Sequence, residues 1–111
     1  LAICRAGAAT CNELLAFAVP SLLIPYPYAS GDHQTFNAVA MEKIGSADFV
    51  PESDLVPSWL AEYLDGCMNT PSRLERMRNA AMNKRMLNAS VLLADEIERV
   101  GLGGRRLKEP S

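Results

Sequence analysis

Residues 1–26, with the sequence LAICRAGAATCNELLAFAVPSLLIPY, decide the fold of this chain. Their two apolar ends, residues 1–4 and 20–26, are too short for helices and fit strands that are covered on both faces, as in a parallel sheet. Between these ends, Gly7 allows a tight turn, and apolar residues recur after it at helical spacing. These residues are Cys11, Leu14, Leu15 and Ala18. The stretch therefore predicts a strand, a tight turn, a helix and a second strand.

The same alternation continues along the chain. A second helix is predicted over residues 33–45, with Asp32 as its N-cap and Gly45 as its C-terminal stop. A short strand at a sheet edge is predicted over residues 47–50. This order of elements predicts an α/β fold with an open parallel sheet.

The second half of the chain is predicted to be helical. Asp54 is a candidate N-cap for a helix over residues 55–67, and Pro71 marks the start of a helix that runs to residue 86. A third helix is predicted over residues 89–101, and residues 101–111 are expected to form a flexible tail. The methionines of this half are expected in the core, namely Met77, Met82 and Met86.

Composition restricts the class of protein. A length of 111 residues suits one domain, and 49% hydrophobic with 22% charged residues is typical of a globular chain rather than a disordered one. The net charge of -2 gives no reason to expect nucleic acid as a partner. The three cysteines lack zinc-binding spacing and are expected to be reduced. No secretory signal is recognised at the start, so a cytoplasmic location is expected.

The loop after the first strand is the first candidate site. Its residues Gly7, Ala8, Ala9 and Thr10 have small side chains, which would leave the N–H groups of a helix start open to a phosphate. The alternative is that these small residues only permit close packing of the helix on the sheet.

Glu13 has two interpretations that the sequence leaves about even. Thr10-x-x-Glu13 matches a capping box, in which the glutamate returns to the N–H of the cap residue. If the helix instead starts at Gly7 or Ala8, the carboxylate lies beyond the first turn and is suited to the diol of a ribose. The position of the helix start decides between them.

The loop after the second strand is the second candidate site. His33, Gln34 and Asn37 place donors and acceptors on the opening of a helix, which suits the hydroxyls of a sugar. The alternative is that Asp32 caps this helix and Asn37 faces solvent. His33 is the only histidine and has no second ligand nearby in sequence, so a metal site is not predicted.

Together the two loops resemble the MurG family of UDP-N-acetylglucosamine transferases of peptidoglycan synthesis, in its C-terminal, family 28 domain. The resemblance covers residues 4–50 and rests on the turn CRAGA, a glutamate six residues after its glycine, the strand PSLLIP, and DHQ followed by NA. It implies the C-terminal part of a GT-B fold, in which two Rossmann-like domains face each other across a cleft. Residues 1–100 would be an incomplete nucleotide-sugar-binding domain.

The resemblance also implies a reaction and a set of roles. Members transfer N-acetylglucosamine, with inversion, from UDP-N-acetylglucosamine to a lipid-linked muramyl-pentapeptide acceptor, lipid I, and need no cofactor or metal. Gly7, Ala8, Ala9 and Thr10 would line the diphosphate and sugar, and Glu13 would bind the ribose. His33 and Gln34 would contact the sugar hydroxyls, with Asn37 nearby. The catalytic residues, the acceptor site and the membrane contact are expected in a domain outside this chain, at the cytoplasmic face of the inner membrane.

Two other functions stay open. The chain could belong to another GT-B enzyme or to a UDP-sugar epimerase, since the acceptor is chosen elsewhere. It could also be a non-catalytic donor-binding subunit that works with a partner chain.

Overall fold

The computed structural model describes residues 1–28 and 33–103, and of residues 89–103 it describes only the helical backbone. Three short strands and four helices follow one another along the chain. They are β1 (Ala2–Cys4), α1 (Ala8–Ala16), β2 (Ser21–Leu23), α2 (His33–Ile44), β3 (Ala47–Phe49), α3 (Pro57–Asn69) and α4 (Pro71–Gly103), with a 3-10 turn at Glu52–Asp54 before α3. The predicted order from β1 to β3 is confirmed.

The strands form one parallel sheet in the order β1-β2-β3. Ser21 of β2 lies opposite Ala2 of β1 on one side and opposite Ala47 of β3 on the other. All three residues of the central strand are buried. This is the reason for the continuous apolar run, since a central parallel strand is covered on both faces.

Two hydrophobic cores lie on opposite faces of the sheet. Successive residues of a strand point to opposite faces, so Leu23 packs with α1 and α2 while Leu22 packs with α3. The first core contains Cys11, Leu14, Ala38 and Met41. The second contains Val50, Tyr63 and Cys67, with Trp59, Leu60 and Leu64 partly buried around them. Helices therefore cover both faces, as predicted.

The helical half differs from the prediction at two places. Helix α3 starts at Pro57 with Val56 as its N-cap, so Asp54 is not the cap and lies in the 3-10 turn. The ring of Pro57 disfavours helical geometry at the residue before it, which keeps Val56 extended. The two predicted helices after Pro71 are one continuous helix, because no glycine or proline interrupts residues 72–100.

Helix α4 runs past the ends of α2 and α1. Gly45 ends α2 with a φ of 94°, and a Cβ added there would lie 3.4 Å from the Cβ of Ala80. Further along, Nη1 of Arg85 donates a hydrogen bond to the carbonyl of Ala16 at the end of α1. Beyond this point Met86 is exposed, so its predicted core position is wrong, whereas Met77 is buried.

The predicted tail lies largely outside the described residues. Helix α4 includes residues 101–103, and residues 104–111 are not described. Within the described residues, no helix combines the length and the low polarity that crossing a membrane requires.

A polar cluster joins β3, α3 and α4. Oδ2 of Asp48 accepts hydrogen bonds from the hydroxyl of Tyr63 at 2.7 Å and from Nη2 of Arg73 at 2.8 Å. The guanidinium of Arg73 lies 4.8 Å from the centre of the Tyr63 ring, which stacks on Trp59 at 5.3 Å. Burial, followed by the hydrogen bond to Asp48, raises the pKa of Tyr63 above its ordinary value. The cluster therefore holds a neutral phenol against a carboxylate.

Candidate functional site

The carboxyl ends of the three strands bring three segments to one edge of the sheet. They are residues 5–7 after β1, residues 24–28 together with the start of α2 after β2, and residues 50–54 after β3. In open parallel sheets ligands bind outside this edge. All the site residues predicted from sequence lie on the first two segments or on the helices that follow them.

Helix α1 begins at Ala8, with Gly7 as its N-cap. The backbone amide of Cys11 donates to the carbonyl of Gly7 at 2.9 Å, which is the first bond of the helix. The N–H groups of the preceding first turn have no partner within any helix, and no side-chain hydrogen bond caps the helix among the described residues. Ala8 and Ala9 are exposed, and Thr10 is partly exposed. An open helix start of this kind attracts anions.

The backbone conformation at residue 7 does not require a glycine. Its φ of -66° and ψ of 154° are ordinary extended values that any residue adopts. A Cβ at this position would meet no described atom closer than 4.0 Å, where Nε2 of Gln34 lies. Serine, aspartate or asparagine would cap the helix somewhat better. The absence of a side chain at Gly7 leaves the N–H groups of the helix start uncovered.

The helix start at Ala8 decides between the two interpretations of Glu13. Thr10 is the third residue of α1 rather than its cap, so the capping-box interpretation is wrong. Glu13 lies five residues into the helix, about 7.5 Å along its axis from Ala8, and its side chain is exposed. Cys11 and Leu14 on the same helix face the core. Glu13 therefore does not cap the helix start. Its contact with a ribose stays a prediction.

Gln34 and Asn37 fasten the start of α2 to the turn before α1. Oε1 of Gln34 accepts hydrogen bonds from the backbone amides of Ala6, at 3.2 Å, and Tyr26, at 2.8 Å. Nδ2 of Asn37 donates to the carbonyl of Ala6 at 3.0 Å. Asn37 therefore does not face solvent, and both backbone groups of Ala6 are held by side chains of α2. The predicted sugar contact of Gln34 is left to its Nε2, because its oxygen already accepts two bonds.

His33 opens helix α2 with an exposed side chain. The structure thus brings Gly7, Gln34 and Asn37 into one connected group, and places Ala8, Ala9 and Thr10 directly after it. No described contact joins Glu13 or His33 to this group, so their roles stay predictions. Asp32, the predicted cap of α2, lies outside the described residues.

Arg5 was not assigned a role from the sequence, yet it lies on the first segment of the edge and contacts both of the others. Its Nη1 lies 2.6 Å from Oε1 of Glu52 after β3 and 3.4 Å from the carbonyl of Ile24 after β2. Its guanidinium also lies 5.3 Å from the centre of the Tyr26 ring. The one sequence signal for this arrangement is an arginine and a glutamate that both follow strands of the same sheet.

A cavity of about 370 Å³ opens beside these residues. Its walls are formed mainly by three prolines, two aromatic rings and the carboxylate partner of Arg5. They are Pro25, Pro27, Pro51, Tyr28, Phe49 and Glu52. Thr35 of α2, one residue after Gln34, also lines the cavity, so it adjoins the candidate site.

The cysteines are not candidates for nucleophilic chemistry at this edge. All three are free thiols, and burial raises the pKa values of Cys4 and Cys11 above the ordinary value for a thiol. A raised pKa keeps these thiols neutral near pH 7, and the thiolate is the reactive form. No group of three potential metal ligands gathers among the residues that the structure describes.

An open helix start at the carboxyl edge of a parallel sheet, beside amide side chains from the next helix, is typical of α/β domains that bind nucleotides. The chain belongs to the glycosyltransferase family 28 C-terminal domain family, whose family model matches residues 1–93.

Curated relatives and a solved structure support this membership. The chain is 38% identical over 100 residues to a UDP-N-acetylglucosamine--N-acetylmuramyl-(pentapeptide) pyrophosphoryl-undecaprenol N-acetylglucosamine transferase of Rhizobium rhizogenes, covering 90% of the chain and 27% of that protein. It is 41% identical over 95 residues to the transferase of the same name from Rhodospirillum rubrum, covering 86% and 24% respectively. The crystal structure of MurG from Acinetobacter baumannii matches with a TM-score of 0.65 and 37% identity, over 71% of this chain and 24% of that one.

These matches define the architecture and its extent. The three-stranded sheet with its helices is the Rossmann-like C-terminal part of a GT-B fold. The chain spans about a quarter of the length of the curated relatives it matches.

Proposed function

We propose that this chain is the donor-binding part of an inverting hexosyltransferase that moves N-acetylglucosamine from UDP-N-acetylglucosamine to a lipid-linked muramyl-pentapeptide. Residues 1–100 are the C-terminal portion of the donor-binding domain in this proposal. The relatives that match most of the chain carry this donor and acceptor in their names. Acceptor binding, catalytic residues and peripheral contact with the cytoplasmic face of the inner membrane are assigned to parts of the protein outside this chain.

The observation that carries the proposal is the uncapped helix start at Gly7. A glycine occupies a helix cap where the backbone does not require it and where there is room for a side chain. The N–H groups of Ala8, Ala9 and Thr10 point out of the helix there, beside the partial positive charge of its N-terminus. A diphosphate is the group of the donor that these features suit.

The same arrangement would favour the reaction as well as binding. Negative charge grows on the diphosphate as the bond to the sugar breaks, and fixed N–H groups stabilise developing charge without having to reorganise. Gln34 and Asn37 hold Ala6, and so fix where these N–H groups lie relative to α2. In the proposal His33 and Nε2 of Gln34 contact the sugar hydroxyls and Glu13 accepts bonds from the ribose.

Titration of the chain with UDP-N-acetylglucosamine, followed by calorimetry, tests this assignment. The Glu13→Ala variant is expected to bind about 30- to 150-fold more weakly, since losing hydrogen bonds to a charged group costs about 2–3 kcal/mol. Glu62→Ala is the matched control, because Glu62 is an exposed glutamate on α3, away from the candidate edge. Unchanged affinity of Glu13→Ala, with normal binding by the control, would show that the ribose role is wrong.

The identity of the sugar is tested in the same experiment. Titrations with UDP alone and with UDP-glucose separate binding of the nucleotide from recognition of the N-acetyl sugar. Tighter binding of UDP-N-acetylglucosamine than of UDP-glucose supports the proposed donor. Equal binding of the two sugars would favour a different UDP-sugar enzyme of the same fold.

A further inference from the structure

We propose that Arg5 is a positioning residue, which fixes the turn before α1 by linking it to the segments after β2 and β3. In this arrangement Arg5 does not itself bind the diphosphate. The consequence for donor affinity rests on the proposed function, whereas the effect on the turn does not.

The contacts of Arg5 cross the whole candidate edge. Its Nη1 makes an ion pair of 2.6 Å with Glu52 and donates to the carbonyl of Ile24, 19 residues away, at 3.4 Å. The central carbon of its guanidinium lies over the Tyr26 ring, 5.3 Å from the ring centre. Tyr26 in turn meets Tyr28 edge to face at 5.6 Å. One side chain thus joins segments that follow three different strands.

An isolated surface ion pair contributes little to stability, and Arg5 and Glu52 are about half exposed, at 49% and 44%. The importance of this pair lies in where it acts. Arg5 is bonded through the chain to Ala6, whose amide and carbonyl are already held by Gln34 and Asn37. The turn is therefore held from the α2 side by two amides and from the β3 side by one guanidinium. Gly7 and the open N–H groups follow immediately after it.

The same contacts argue against a direct role in binding phosphate. Among the described residues the guanidinium forms its ion pair with the carboxylate of Glu52, which partly offsets its charge and draws it towards the segment after β3. A planar guanidinium can pair with a carboxylate and stack on an aromatic ring at the same time, which an ammonium cannot do equally well. The residue type therefore suits a link between segments.

The variant Glu52→Gln separates the two roles by the sign of its effect. If Arg5 positions the turn, removing its partner weakens binding of UDP-N-acetylglucosamine by about fivefold, the size expected for one partly exposed ion pair. If Arg5 binds the diphosphate, Glu52→Gln frees its charge and tightens binding. Asp54→Asn in the same 3-10 turn is the matched control, with no change expected.

Arg5→Lys and the double variant Arg5→Gln/Glu52→Gln complete the test. Arg5→Lys keeps the charge but loses the planar guanidinium over the Tyr26 ring, so it should weaken binding about as much as Glu52→Gln. The double variant should bind no more weakly than Arg5→Gln alone, because both changes break one link. Tighter binding by Glu52→Gln, or additive losses in the double variant, would overturn the proposal.

Amide chemical shifts of the ligand-free chain test the link independently of the donor. The resonances of Ala6, Gly7 and Ala8 should move in Glu52→Gln, although Glu52 lies 45 residues or so along the chain. Amides of α3 should keep their positions and show that the variant is folded. If the wild-type chain binds no donor but these shifts move, the proposed function fails and the link stands. Unmoved resonances of the turn would refute the link itself.

Discussion

Removing the carboxylate of Asp48 is expected to destabilise the chain by about 2–3 kcal/mol, since it leaves the hydroxyl of Tyr63 without its acceptor at a residue that is only 9% exposed. An unpaired buried hydroxyl costs about 1–3 kcal/mol. The ion pair with Arg73 adds at most about 1 kcal/mol, because both side chains are about one-third exposed. Asp48→Ala should therefore lower the melting temperature by roughly 10–20 °C for a domain of this size.

Urea unfolding followed by circular dichroism measures this change against two other variants. Tyr63→Phe removes the hydroxyl but keeps the ring on Trp59, so a loss of about 1 kcal/mol is expected. Asp65→Ala, at an exposed position of α3, should keep or raise stability, because alanine is the better helix former.

A double-variant cycle shows whether Asp48 acts through Tyr63. The pair Asp48→Ala/Tyr63→Phe should be less destabilised than the sum of the single variants, by about 0.5–1 kcal/mol or more, because both lose the same hydrogen bond. The reasoning is refuted if Asp48→Ala stays within about 0.5 kcal/mol of the wild type. It is equally refuted if the two single effects add.

Two further predictions concern backbone shape and pH. Gly45→Ala should cost about 1–2 kcal/mol, since a φ of 94° is unfavourable for any residue with a Cβ. Gly66→Ala should instead raise the free energy of unfolding by about 0.5–1 kcal/mol, because the residue lies inside α3. The added Cβ would lie 3.5 Å from Nη1 of Arg73, which is an ordinary van der Waals distance. Urea midpoints that move in the same direction for both would contradict this. Because folding raises the pKa of Tyr63, this residue's contribution to stability is present in full below the ordinary tyrosine pKa of 10.0. The contribution is lost as the pH rises above that value. Melting temperatures from about pH 8 to 11 should fall less steeply in Tyr63→Phe, and an identical slope would remove Tyr63 as the cause.

The elements that the sequence predicts well are those with a local cause. The strand at Ser21–Leu23 follows from a short apolar run, and the end of α2 follows from Gly45, which alone tolerates the required φ. The start of α3 also has a local cause in Pro57, but the better N-cap, Asp54, drew the prediction to the wrong residue. The capping preference of Asp54 is overridden because Pro57 keeps Val56 extended, so the helix cannot begin before Pro57.

The contacts within the candidate site have no local signal. Gln34 and Asn37 bond to Ala6 across 28 and 31 residues, and only the folded sheet brings them together. The sequence marks these side chains as polar groups at a helix start, which suits a ligand as well as a backbone partner. The capping-box pattern at Thr10 fails for a similar reason, because a neighbouring segment holds the turn and the helix is capped at Gly7, three residues earlier than the pattern requires.

The bare cap at Gly7 also bears on how this sequence could change over time. A single added hydroxyl or carboxylate there would satisfy the helix, fit the available space and make the chain slightly harder to unfold. That same oxygen would stand where the donor's phosphate is proposed to sit. Under the proposed function, filling this position would therefore strengthen the helix slightly and weaken donor binding.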